Sequence, residues 1–375
     1  MYLTTLINIM KKTFLIILLL VVCLTRVNAQ LPKNRLDAIV NKYANAYMND
    51  STAVGLSIGI IQHGKKYFYN YGTVKKGVNE LPTNKTIYAM GSIAKTFVGI
   101  LLAQAVKENK VQLTDDIRKY LKGNYPNLQF NNYPITLVHL ANHTARLPES
   151  LCKFPNNWQS MNQEEKYVFK QRYNREEFYK DLHSVKLDTL PGYKYSYSGS
   201  GMTLLKLILE NVYQKPFQEL INQYFNKPLN LATTKELLNT TEWESYAFGK
   251  QDEAIVTHTK SIEDMTTGPG LCSTTDDMVK YIQANIIEIN KTIKLSHQKT
   301  FEDNNNTMAL AWRLDEQKNT IYHLGTGWGC NSICKFSPKY KTGIIIFVNE
   351  TMNKKNMTTM ANDIQEELYK NSGIK

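Results

Sequence analysis

The sequence predicts a mixed α/β fold of the α+β kind, in which an antiparallel sheet built from both chain ends is flanked by terminal helices and interrupted by a large, mostly helical insertion. Three observations predict it. β-rich segments pair up near each end of the chain, an amphipathic helix lies outside each pair, and the long middle carries apolar residues at helical spacing.

The elements follow in chain order. Over residues 34–48, Leu36, Ile39, Val40, Tyr43 and Tyr47 recur at helical spacing. Residues 54–62 and 66–71 are rich in β-branched and aromatic types and meet across His63-Gly64-Lys65, a hairpin with glycine in its turn. The middle reads as helix over residues 92–109, 176–187, 201–213 and 276–287. Strands return at 332–336 and 343–348, separated by a Ser337-Pro338 turn. In the last helix Met357, Met360, Ala361, Ile364 and Leu368 make one apolar face. No internal repeat or Pro/Gly/Ser-rich linker divides the chain. The α/β part is expected at about 30–90 and 265–375 and the helical part at about 91–264.

The chain has 375 residues, 42% hydrophobic and 21% charged, enough apolar material for a large core and too little charge for a disordered tail protein. Its formal net charge of +12 would suit nucleic acid if it were clustered, but lysines are spread along the chain and the basic runs are pairs such as Lys65-Lys66 and Lys354-Lys355. No nucleic-acid partner is expected. Lys11-Lys12, the apolar run 14–24 and Val27-Asn28-Ala29 form the three regions of a secretory signal peptide, with cleavage expected after Ala29. That run is too short to cross a bilayer of about 30 Å, so residues 30–375 are expected as an exported domain, periplasmic or secreted, without stable membrane insertion. Four cysteines then remain, Cys152, Cys272, Cys330 and Cys334. Their spacing matches no zinc pattern, and free buried thiols are the plain expectation.

The chemistry starts at Gly91-Ser92-Ile93-Ala94-Lys95. A serine and a lysine three apart on a helix share a face, so the amine can reach the hydroxyl and help deprotonate it. The same spacing occurs at Ser150-Lys153 and Ser296-Lys299, so setting must decide. Residues 96–103 are apolar almost all round, which requires a buried helix, and a buried lysine is costly unless employed.

Thr86-Ile87-Tyr88-Ala89-Met90-Gly91-Ser92-Ile93-Ala94-Lys95-Thr96-Phe97 resembles the nucleophile segment of the class C β-lactamase and penicillin-binding-protein family of serine hydrolases. The likeness continues in order. Ile135 to Thr144 resembles the family's I-T-x-x-x-L-L-x-H-T segment, Pro228-Leu229-Asn230-Leu231 its P-L-G-M stretch, and Gly268 to Asp277 its G-G-L-x-S-T-x-x-D segment. By that resemblance Tyr197, after Pro191-Gly192 and before a helix, is the second catalytic element, a base or proton relay beside Lys95. The family's asparagine two places on is here Gly199. The Y-x-N triplets at Tyr43, Tyr47, Tyr125 and Tyr224 fall in the wrong order. For the third element Lys341-Thr342-Gly343 copies the family's K-T-G letters, yet the order of glycine-rich stretch, strand, proline turn and strand starts at His323-Leu324-Gly325-Thr326 and puts Lys341 in a hairpin.

The mechanism this resemblance implies is acyl transfer through a covalent Ser92 intermediate, with Lys95 and Tyr197 shuttling the proton and no metal or cofactor. The amides of Ser92 and Thr326 would form the oxyanion hole, and His323, Gly325, Thr326 and Gly199 would line the substrate. Gly199 removes an amide that contacts substrate, Leu324 removes a hydroxyl that holds its carboxylate, and Ala145-Arg146 replaces Ser-Gly. A small ester, amide or peptide is therefore the expected partner, with esters leading. The alternatives are a class C-type β-lactamase, a D-alanyl-D-alanine carboxypeptidase, or a binding protein that has lost turnover. The aromatic segment 154–188 is a candidate lid over the cleft or, equally, ordinary helical packing.

Overall fold

The computed structural model describes residues 34–236, 238, 240–247, 265–266, 268–327, 329–350, 354–370 and 372–373; the expected signal peptide lies outside the described residues, as does the end of the expected helical part, 248–264. The chain divides inside its first helix, α1 (Arg35–Met48). One unit ends at Tyr43, and the other, from Ala44 onward, holds everything described below.

The hairpin expected near the start is present as β1 (Gly55–Gln62) and β2 (Lys65–Gly72). Two short pairs follow: β3 (Tyr88–Ala89), β4 (Gln129–Phe130) and β5 (Tyr133–Pro134) precede β6 (Cys272–Ser273), with β3 on β6 and β4 on β5. The remaining strands are β7 (Phe301–Glu302), β8 (Thr307–Met308), β9 (Arg313–Asp315), β10 (Thr320–Gly327), β11 (Cys330–Ser337) and β12 (Thr342–Val348). They join β1 and β2 in one eight-stranded sheet of order β2-β1-β12-β11-β10-β9-β8-β7. All its pairings are antiparallel, and the two chain ends meet where Ile58 faces Ile346 and Gly59 faces Ile345.

The helices that matter for the site are α2 (Ala94–Lys107), α3 (Gly199–Tyr213), α4 (Thr275–Ile286) and the terminal α5 (Lys354–Lys370). Every residue of β12 is buried, as a strand covered on both faces must be. Its cover comes from α4 and α5, which both pack on it. Between sheet and insertion the core is aromatic: Tyr88 stacks on Phe347 with ring centroids 4.9 Å apart, and Phe97 stacks on Tyr281 at 4.1 Å. α2 is buried continuously from Ala94 to Ala103, as its apolar sequence requires.

The structure departs from the sequence reading in three places. The strand carrying His323 begins at Thr320, so His323 sits in mid-strand. The helix expected over 176–187 is Arg175–Leu182, because Ser184 folds back and its hydroxyl donates to Asp181 O at 2.7 Å. β7, β8 and β9 escaped the sequence reading because two or three residues cannot display an alternation. Cys152, Cys272, Cys330 and Cys334 are all buried.

Phe347→Ala, which empties the stack on Tyr88, is expected to destabilise the protein by about 3–5 kcal/mol. A lowered urea midpoint with an unchanged slope is the measurement that checks it.

Candidate active site

Ser92 lies in a single 3₁₀ turn, Gly91–Ile93, between β3 and α2. The residue before the turn is fixed on both sides, since the Met90 amide donates to Leu271 O at 2.9 Å and its carbonyl accepts from Ser332 Oγ at 2.8 Å. Gly91 has φ +55°, and a Cβ there would fall 2.5 Å from the backbone of Thr326. Only glycine lets the turn and β10 approach so closely.

Lys95 follows one helical turn later, 2% exposed, and its Nζ donates to Ser92 Oγ at 2.9 Å. The Tyr197 hydroxyl donates to the same oxygen at 2.7 Å, and the amine lies 5.3 Å from the Tyr197 ring centroid. Gly268 closes over the amine, since a Cβ on it would come within 2.7 Å of Nζ. The sequence-predicted trio of Ser92, Lys95 and Tyr197 is therefore assembled around one oxygen.

Tyr197 is placed by the segment leading into α3. Ser198 caps that helix through its hydroxyl, which accepts from the Gly201 amide at 2.8 Å. On the other side His143 holds the segment: its carbonyl accepts from the Ser196 amide at 2.8 Å and its Nδ1 from the Ser198 amide at 3.2 Å. Its ring lies 4.5 Å from that of Tyr197. Burial first, and then the charge of Lys95, holds the His143 imidazole well below its ordinary value, so it stays neutral. His143 carried no role in the sequence reading. Its signal was its position in the Ile135 to Thr144 segment.

His323 is buried as well, pushed down to about 3 by desolvation and Lys95. Its Nδ1 lies 2.6 Å from Leu324 O. A carbonyl can only accept, so Nδ1 carries the hydrogen and Nε2 is a bare acceptor with no hydrogen-bond partner among the described residues. A Cβ on Gly325 would stand 2.0 Å from Met90 O and 2.3 Å from Ser332 Oγ, so this glycine lets the strand dock under the serine turn. Thr326 is exposed; its hydroxyl donates to Asn331 Oδ1 at 2.8 Å and accepts from Lys354 Nζ at 3.2 Å. Gly199 opens α3 with no side chain to offer. β9 pairs with β10 over Thr320–Tyr322, and past Tyr322 that edge of β10 has no strand partner among the described residues.

The competing motifs are scattered. Ser150 Oγ reaches Cys152 O, while Lys153 is exposed. Ser296 is buried with its hydroxyl on Ile293 O, and Lys299 pairs with Glu302 and Glu316. Lys341 occupies the β11–β12 turn at φ +50°. Of the aromatic segment 154–188, Phe178 and Leu182 are in the core, and Phe154, Trp158 and Phe169 form a partly exposed cluster with centroids 4.5–6.0 Å apart. No metal-binding cluster of His, Cys, Asp and Glu occurs among the described residues.

A sheet of this order carrying a serine and lysine on one helical turn, met by a tyrosine from the insertion, defines a class. The Beta-lactamase family model matches residues 40–368, and the chain belongs to that family. Protein flp of Staphylococcus aureus strain N315 is 24% identical over 308 residues, 79% of this chain and 59% of that protein. The D-alanyl-D-alanine-carboxypeptidase/endopeptidase AmpH of Escherichia coli K12 is 26% identical over 245 residues, 65% of this chain and 60% of that protein. The chain thus spans about three fifths of the length of these relatives. Among solved structures, a β-lactamase/D-alanine carboxypeptidase from Yersinia pestis complexed with citrate aligns with TM-score 0.74 at 20% identity, covering 89% of this chain and 98% of that one. The octameric penicillin-binding protein homologue from Pyrococcus abyssi aligns with TM-score 0.72 at 19% identity, covering 88% and 77%. At these identities the structural likeness speaks for the fold.

Gly325→Val should lower hydrolysis of activated esters by about 100-fold or more, since it displaces the strand that abuts the serine turn. Lys341→Ala, in an exposed hairpin, should stay within about twofold of the unmodified protein. Steady-state rates with p-nitrophenyl acetate measure both.

Proposed function

We propose that this chain is an exported serine hydrolase that cleaves a small ester, amide or peptide through an acyl-enzyme on Ser92. The observation that carries the reading is the double hydrogen bond on Ser92 Oγ, from a buried lysine at 2.9 Å and a tyrosine at 2.7 Å. Lys95 and Tyr197 relay the serine proton to the leaving group as Ser92 attacks the carbonyl, and the relay runs in reverse when water releases the acyl group. The amides of Ser92 and Thr326 take the developing oxyanion, a contribution usually worth about 100- to 1000-fold in rate. The tight packing of Gly91 against the Thr326 backbone supports that assignment. Export rests on the sequence of residues 1–29.

Esters lead as substrates because Gly199 and Leu324 lack the amide and the hydroxyl through which relatives would hold a β-lactam or D-alanyl peptide. The names of the relatives, β-lactamase and D-alanyl-D-alanine carboxypeptidase among them, keep those amides as the second reading.

A fluorophosphonate probe should label the protein, and Ser92→Ala should abolish the labelling along with p-nitrophenyl acetate hydrolysis; Ser150→Ala and Ser296→Ala should leave both nearly intact. Failure of a well-folded protein to label would favour a binding module without turnover. Nitrocefin should be a poor substrate by several orders of magnitude against an efficient β-lactamase. Gly199→Asn should speed acylation by penicillin by the modest factor that one hydrogen bond of about 0.5–1.5 kcal/mol provides. Efficient nitrocefin turnover by the unmodified protein would move the assignment to β-lactamase.

A further inference from the structure

We propose that the end of the sheet farthest from the serine turn is a docking face for an anionic lipid surface, built from Lys65, Lys66, Lys339 and Lys341 beside the exposed Ile287 and Ile289. It stands apart from the chemistry at Ser92, and it gives a task to Lys341, which the catalytic site does not use.

These lysines are scattered in the sequence and gathered by the sheet. β1 and β2 turn at His63-Gly64, and β11 and β12 turn at Pro338 to Lys341. Gln62 pairs with Lys65 on one side and Thr342 on the other, and the His63 amide donates to Lys341 O at 3.0 Å, so the two turns lie side by side. Lys65, Lys66, Lys339 and Lys341 are all exposed there, and none forms an ion pair with another described residue.

α4 ends at the same place. Gly343, opposite Ile61, faces that helix, since a Cβ on it would stand 2.4 Å from Ile282 and 3.1 Å from Ile286. Lys66 is the other partner of Ile61 and so shares the face. The chain leaves α4 as Ile287-Glu288-Ile289, with Ile287 60% and Ile289 53% exposed. Glu288, between them, is engaged by the buried His297 at 3.3 Å and by Lys294 at 3.8 Å. The stack of Tyr340 on Tyr369, centroids 4.2 Å apart, brings the last turns of α5 to this end as well. The carboxylates there are already taken, Glu366 by Lys318 and Glu367 by Lys370, while Glu316 on the next turn pairs with Lys299. The four lysines thus face solvent with their charge uncompensated.

Free cations next to two exposed isoleucines fit a surface that is anionic outside and apolar beneath, which is what a lipid headgroup layer over acyl chains presents. A soluble polyanion would engage the lysines and leave both isoleucines in water. Long lysine side chains can keep their ammonium groups at the phosphates while the isoleucines enter below them. Ser92 stands well away from this face. The serine turn abuts Gly325 and Thr326, whereas the lysine-bearing turns lie beyond the Thr320 end of β10, a strand of eight residues that is about 25 Å long. Docking by this end leaves the catalytic cleft open to solution.

The test is sedimentation of the full chain with vesicles of equimolar phosphatidylglycerol and phosphatidylcholine, and with vesicles of phosphatidylcholine alone. The readout is the ratio of the two partition coefficients, to which residues 1–29 contribute equally in every variant. The unmodified protein should favour the anionic vesicles about 100-fold at about 0.1 M salt and lose most of that preference at about 0.5 M. Combining Lys65→Gln, Lys66→Gln, Lys339→Gln and Lys341→Gln should lower the ratio about tenfold or more. The charge-matched control Lys122→Gln, Lys153→Gln, Lys186→Gln and Lys227→Gln, on the helical insertion, should stay within about threefold. Ile287→Ser with Ile289→Ser should weaken binding to the anionic vesicles about tenfold while retention on heparin is unchanged. All the substituted side chains are exposed, so each variant should keep the thermal midpoint of the unmodified protein. A ratio near one for the unmodified protein, or equal losses in the two lysine variants, would overturn the proposal. Isoleucine variants that bind the vesicles as tightly as the unmodified protein would overturn it too, leaving a face for soluble polyanions. Hydrolysis at Ser92 is measured separately, and its outcome does not enter this test.

Discussion

Two backbones touch beneath the nucleophile, and most of the site follows from that contact. The serine turn and β10 meet with no side chain between them, at Gly91 against the Thr326 main chain and at Gly325 against Met90 O. The Ser332 hydroxyl, on the strand next to β10, seals the junction by donating to the same Met90 carbonyl. This contact sets where Ser92 stands relative to the open edge of β10. It also explains why two glycines far apart in sequence behave as one requirement: a methyl group at either would part the halves of the site.

Electrostatics supplies the second constraint. Lys95 is buried at the centre of the site. Both histidines of the site stay neutral, each held low first by the loss of water and next by Lys95 itself. The amine thus shapes its neighbours, and its hydrogen bond to Ser92 is made where solvent screens little.

Much of this was legible in the sequence, and what was not has physical reasons. The hairpin at one end and the last two strands at the other announce themselves by their β-branched and aromatic residues, and α2 by being apolar all round, which marked Lys95 as a lysine with a task. The order of segments separated His323-Leu324-Gly325 from the letter-perfect Lys341-Thr342-Gly343. What stayed hidden was set by tertiary contact. Gly325 reads as a glycine on a strand, and nothing local says that Met90 O will occupy the place of its side chain. His143 reads as one polar residue in a matching segment, while its work is done by a carbonyl and an Nδ1 that meet amides some fifty residues away.

The pairing of β1 with β12 carries a consequence for how the molecule comes into being. The strand that flanks the nucleophile is held in the sheet by β11, and β11 by β12, which closes on β1 nearly three hundred residues earlier. A chain emerging from the ribosome therefore has Ser92, Lys95 and Tyr197 long before it has the strand that abuts them. Such long-range closure is slow, since a large loop must be ordered before any contact repays it. The serine turn therefore gains its neighbouring strand only once β12 has been made, and a product that stops short of β12 lacks the pairing that closes the sheet.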